Sequence, residues 1–172
     1  MAKKNSLKAL SKNKGFTLVE LIVVLVILAI LAAILVPTLL GYIDRARSEK
    51  DFATAQAIRV AAQAEADEIY GKNIQSAMTQ DSTTKKWSVN KNGLLGYKDK
   101  IFELVGATVT KNGDKVTATL DGQAIDITDV TIKDNQITAI IVQVGSTTKF
   151  YKYTTDTNTW ESTDSDKLTT NP

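Results

Sequence analysis

Between Lys14 and Asp44 one side chain carries a charge, the carboxylate of Glu20. It stands at the head of an apolar run with no polar side chain from Leu21 to Val36, closed by Pro37. Placing an ionised acid at the centre of a hydrocarbon layer costs up to ~3 kcal/mol, and less near an interface. Two arrangements relieve that cost: the carboxylate snorkels to the headgroups, or it meets a cation on another molecule. The chain supplies such a cation if it is cut after Gly15, because the cut creates an α-amine on Phe16. That amine lies about one helical turn from Glu20, so pairing within one chain is awkward and pairing with an axially shifted copy is easy. A carboxylate on one copy and an amine on the next make a head-to-tail contact that does not close, and such contacts generate helical filaments.

Other chemistry is sparse. The chain has no Cys and no His, so it has no disulfide, thiol nucleophile or imidazole base. A hydrolase would need a Ser–Lys pair or paired carboxylates, and no spacing singles either out. No Gly-rich phosphate loop occurs. Asp126, Asp129 and Asp134, or Asp156, Asp164 and Asp166, are the acids a hard cation such as Ca²⁺ would use, but turn acids at this density are common without a metal. Lys111, Lys115, Lys133, Lys149 and Lys152, near Tyr151 and Tyr153, are what a nucleic-acid surface would use; outward lysines that blunt sheet edges are the stronger reading. The expectation is a protein that is not an enzyme, with no catalytic residue, cofactor or metal, and with nucleic acid not indicated as a partner.

The elements that must position Glu20 follow from charge and hydropathy. Residues 1–15 carry five Lys and no acid, whereas the rest carries sixteen basic against nineteen acidic residues. The basic balance therefore belongs to a leader of export-signal type, and a cleaved leader is expected at 1–15. Residues 16–40 are 25 residues long; as a helix they span ~37 Å, enough to cross a hydrocarbon core of ~30 Å. The Lys bias before the span predicts a single-pass protein with its N-terminus in the cytoplasm. Pro37 and Gly41 are the expected kink, loosening the helix near 33–36.

Residues 41–71 are Ala-rich, with Gly71 as C-cap and an apolar face expected at Ile43, Ala46, Ala53, Ala57, Val60, Ala61 and Ala64. Residues 72–100 read as a connecting loop with a short helix near 74–78, anchored by Trp87, Leu94 and Leu95. From residue 101 the period changes to two, and 101–162 is expected to be an antiparallel β-sheet head. Its hairpins pair 104–110 with 116–120 through Lys111-Asn112-Gly113-Asp114, where Asn-Gly is the turn signal, 125–133 with 136–144 through Asp134-Asn135, and 149–154 with 159–162 around Asp156-Thr157-Asn158. Residues 163–172 read as a disordered polar tail. The fold class is α+β, a long N-terminal helix spine packed against a C-terminal antiparallel sheet.

Lys14-Gly15-Phe16-Thr17-Leu18-Val19-Glu20 followed by a long apolar helix resembles the N-terminus of type IV prepilins and the related pseudopilins. The likeness covers roughly residues 10–50. It implies a prepilin peptidase that recognises Lys14 and Gly15, cleaves between Gly15 and Phe16 and N-methylates Phe16. It further implies that Glu20 neutralises that amine on a neighbouring subunit, and that an assembly platform with its ATPase extracts subunits from the cytoplasmic membrane into a surface filament. Many pilins carry a C-terminal disulfide loop; this chain departs from them in having no Cys, as some members do. The function so implied is a major pilin of a type IV pilus, or alternatively a major pseudopilin of a type II secretion or DNA-uptake system.

Overall fold

A computed structural model describes residues 15–145 and 149–168. Lys14 and the rest of the leader lie outside the described residues, as do the last four residues of the tail. The architecture is α+β: a long N-terminal helix, then a six-stranded antiparallel sheet with a small two-stranded sheet beside it. Helix α1 is Leu18–Gly71, 54 residues. The chain divides into two compact units, with the boundary at Ala46/Arg47 inside α1.

In the second unit α1 buries one stripe. Ala55, Ile58, Ala62, Ala66 and Ile69, at steps of three and four, are fully buried. The expected face is therefore corrected. Of its members in this unit only Ala61 is buried, while Ala53, Ala57, Val60 and Ala64 are exposed. With this much alanine, two stripes have equal apolar counts. The isoleucines decide between them, since fully burying a large aliphatic side chain contributes about 1.5–3 kcal/mol. The charged Glu65, only 2% exposed, sits inside the true stripe and disguises it in the sequence.

The main sheet has strand order β3-β4-β5-β6-β7-β8, with β3 Thr108–Asn112, β4 Lys115–Leu120, β5 Gln123–Lys133, β6 Gln136–Val144, β7 Phe150–Thr154 and β8 Thr159–Thr163. Its inner face joins α1 in one core: Ile125, Ile127, Val130, Ile140, Val142, Val144, Tyr151 and Tyr153 are all buried there. Polar tips of the sheet reach the helix. Tyr151 donates its hydroxyl to Asp51 at 2.8 Å, Trp160 donates its indole N–H to Gln56 at 2.8 Å, and the Arg59 guanidinium lies 3.9 Å over the Tyr153 ring. Burial, reinforced by the Asp51 carboxylate, pushes the Tyr151 phenol up to about 12.

Asp134 and Asn135 take φ of 50° and 62°, the two-residue hairpin turn expected there. The β3–β4 turn is tighter than the expected four-residue connection: Lys111 and Asn112 belong to the strand, Asn112 pairs with Lys115, and Gly113, at φ 61°, opens the two-residue loop. Ile101 to Leu104, expected at the start of the sheet, is helical instead, in α3 Lys98–Leu104. Ile101 and Phe102 are adjacent and both fully buried, a pairing that one face of a strand cannot provide.

Between α1 and α3 lie a 3₁₀ turn at Gln75–Ala77, a hairpin of β1 Met78–Gln80 with β2 Trp87–Val89, and α2 Lys91–Leu95. Asn90 caps α2 by accepting from the Gly93 N–H at 2.7 Å. Gly93 is required there, because a Cβ would lie 2.2 Å from the Ala77 carbonyl oxygen.

The tail expectation is corrected for residues 164–168. A register shift in β5 between Ile127 and Asp129 turns Asp129 to the outer face, opposite Ile141, which in turn lies opposite Lys152. The Leu168 amide donates to Asp129 Oδ2 at 2.9 Å. From β8 back to β5 is three strand spacings, ~14 Å, within reach of five extended residues. The tail therefore returns across the outer face, and Ile141, fully buried outside the main core, lies beneath its path.

Candidate functional site at the start of the helix

Gly15 and Phe16 lie outside any helix, and Phe16 is 84% exposed. The peptide bond between them is open to a peptidase. Thr17 is the residue immediately before α1, and it engages Glu20 reciprocally. The Thr17 amide donates to Glu20 Oε2 at 2.9 Å, its hydroxyl donates to the same oxygen at 2.8 Å, and the Glu20 amide donates to Thr17 Oγ1 at 3.2 Å. This is a capping box, two orphan helix N–H groups satisfied by two side chains. The carboxylate also complements the positive end of the helix dipole. Sequence reasoning gave Glu20 a partner on another chain and overlooked Thr17, although the Thr-x-x-Glu spacing carries the signal.

Both contacts fall on Oε2. Oε1 of Glu20 makes no hydrogen bond among the described residues. One oxygen thus fixes the carboxylate in place, and the other retains its capacity to accept. The capping box involves only Thr17 and Glu20 and makes no use of residues before them.

Above Glu20 the helix surface is apolar on every side. The large apolar side chains from Leu21 to Val36 are each between 50% and 68% exposed. By length and composition α1 can cross a membrane. The helix is continuous through Pro37. Next to it the Thr38 hydroxyl donates to the Leu35 and Ile34 carbonyls at 2.9 and 3.2 Å. Gly41 has open space where a Cβ would be. Gly15, Phe16, Thr17 and Glu20 are thus gathered at one helix end, and Pro37 stands ~25 Å further along. Lys14 lies outside the described residues.

The acids considered for a cation do not converge. Asp126 pairs with Lys98 at 2.8 Å and Asp129 with Lys91, and no group of three acids among the described residues is placed to hold a metal ion.

The family model for the prokaryotic N-terminal methylation motif matches residues 10–36, which contain the Gly15–Phe16 bond, Thr17, Glu20 and most of the apolar run. No curated protein and no solved structure was found to match the chain.

Proposed function

Because the chain carries the type IV prepilin signature at its N-terminus, we propose that it is a structural subunit of a type IV pilus, and specifically a major pilin. In this reading residues 16–40 hold the precursor in the cytoplasmic membrane with its N-terminus inside. A prepilin peptidase reads Lys14 and Gly15, cuts before Phe16 and methylates the new amine. An assembly platform driven by an ATPase then transfers the helix from lipid into a filament of identical helices, which reaches the cell surface. Both environments bury the same apolar surface, so the transfer exchanges one apolar solvent for another. The observation that carries the proposal is Glu20: its carboxylate is held by Thr17 through one oxygen, at the head of an unbroken exposed apolar helix. The other oxygen is then available to the Phe16 amine of a neighbour, whose charge it neutralises as the pair leaves water. Pro37 and Gly41 are the points at which the helix loosens when subunits pack. The exposed threonines of β3 and β4, Thr108, Thr110, Thr117 and Thr119, suit a subunit whose surface meets the outside medium.

Mass spectrometry of the mature protein tests the proposal together with electron microscopy of sheared surface material. The expected result is thin fibres built from chains that begin at N-methylated Phe16. An intact Met1 end on fibre-free protein would overturn it.

A further inference from the structure

The second unit holds a cavity remote in sequence from Glu20. It has a volume of about 650 Å³, within the ~300–1,000 Å³ of small-molecule sites. Tyr70, at the end of α1, and Trp87, in β2, contribute aromatic surface; both are partly exposed. Around them stand Asp81 and Asp134 as acids and Lys86 and Lys133 as bases. The lining is therefore charge-balanced, with aromatic faces and a ring of donors and acceptors of both signs.

The walls are the six-residue β1–β2 connection and the two-residue β5–β6 turn, each held in place. In the β1–β2 turn the Asp81 carboxylate accepts the amides of Thr83 and Thr84 at 2.8 and 2.6 Å, and the Gln80 side chain donates to the Lys85 carbonyl at 2.9 Å. In the β5–β6 turn the Asn135 side chain accepts the Val89 amide at 2.9 Å, and its carbonyl accepts Gln63 Nε2 at 2.9 Å. The second pair of bonds ties this turn to both β2 and α1. Lys85, at φ 56°, is a left-handed non-glycine residue without the side chain that usually tolerates that conformation. The cavity is preorganised, so little ordering cost falls on a ligand.

We infer that this cavity binds a neutral pyranose sugar, one or two rings in extent. The ring's C–H face stacks on Trp87 and Tyr70, and its hydroxyls donate to Asp81 and Asp134 and accept from Lys86 and Lys133. Balanced charge disfavours a phosphate or a polyanion, since each added negative charge meets as many carboxylates as ammonium groups. This binding is independent of assembly and does not rest on the pilin reading.

The test uses the mature full-length chain in a detergent without a sugar headgroup. Saturation-transfer NMR is run against the methyl glycosides of glucose, galactose, mannose and N-acetylglucosamine, against cellobiose and lactose, and against inorganic phosphate. Indole fluorescence of Trp160→Phe, which leaves Trp87 as the only tryptophan, measures affinity for any sugar that registers. The expected result is saturable binding of at least one sugar with a millimolar Kd. That binding weakens about tenfold in Asp134→Asn, which removes one charged acceptor while keeping a residue tolerant of the turn. Lys133→Ala, on the exposed rim, weakens it similarly. Absence of binding across the sugars, binding of phosphate alone, or sugar binding unchanged in both variants would each overturn the inference.

Discussion

Replacing Asp129 by Ala removes a junction of three elements. The carboxylate, 6% exposed as a residue, accepts the Lys91 ammonium from α2, the Leu168 amide from the tail at 2.9 Å and the Val130 amide of its own strand at 2.8 Å. Hydrogen bonds to a charged group contribute about 1.5–3 kcal/mol each in isolation. Here they are not additive. The Lys91 side chain is 49% exposed and returns to water at little cost. Burial of the carboxylate itself opposes folding. A net loss of about 2–3 kcal/mol remains, which lowers Tm by roughly 6–12 °C in a unit of this size.

pH dependence supplies an independent check. Burial pushes the Asp129 carboxyl up, but Lys91 and the two amides outweigh it and hold the group below the usual carboxylate range. A depressed folded value means that the stabilisation is fully present above the unfolded value, about 3.9, and is lost as pH falls through the folded one. Thermal unfolding of the full chain and of Asp129→Ala should therefore diverge at pH 7 and converge as pH falls through the folded value. Limited proteolysis should show faster loss of the tail in the variant. A Tm within about 1 °C of the parent at pH 7, with unchanged tail cleavage, would refute the idea that this carboxylate clamps the tail.

Glu20→Gln separates the two roles of that residue, because glutamine retains the capping geometry but not the charge. Processing should proceed, while sheared fibre falls by roughly tenfold or more, as when one member of a desolvated charge pair is removed; full fibre yield would show that the charge is dispensable. Thr17→Val removes the cap at a cost of about 1 kcal/mol and should reduce fibre less than Glu20→Gln does. Gly93→Ala forces a Cβ against the Ala77 backbone and should cost about 2–3 kcal/mol by thermal unfolding, whereas Gly96→Ala, at φ −66° with its Cβ 3.2 Å from the Gly93 carbonyl oxygen, should cost less. Glu65→Gln should raise stability at neutral pH by about 1 kcal/mol. Burial pushes the Glu65 carboxyl up, with Lys100 3.8 Å away opposing in part, and Oε1 has no hydrogen-bond partner among the described residues. With the folded value raised, the Glu65 contribution to stability is present below the unfolded value and is lost as pH rises through the folded one, so the gain from Gln should vanish near pH 4.

The sequence alone determined the parts of this protein whose physics is local. A carboxylate isolated at the head of an apolar run is legible because it depends on neighbours within a few residues. The Asp134-Asn135 hairpin is legible for the same reason: two adjacent residues tolerate left-handed backbone. Even the Thr17–Glu20 capping box was within reach, since its three-residue spacing is a local signal.

Tertiary structure decided the rest. Which stripe of α1 is buried depends on what the sheet presents to it, and alanine is too small to declare a side. Ile101 and Phe102 became helical because both had to enter the same core, which outweighed the period-two pattern around them. The tail was tied down by Asp129, a residue 39 positions earlier in the chain, turned outward by a register shift that no local pattern announces. The cavity between the β1–β2 and β5–β6 turns arises in the same way, from segments about fifty residues apart brought together by Asn135. Local chemistry thus identified the helix end and its Glu20, and long-range packing built the surface that the second unit exposes.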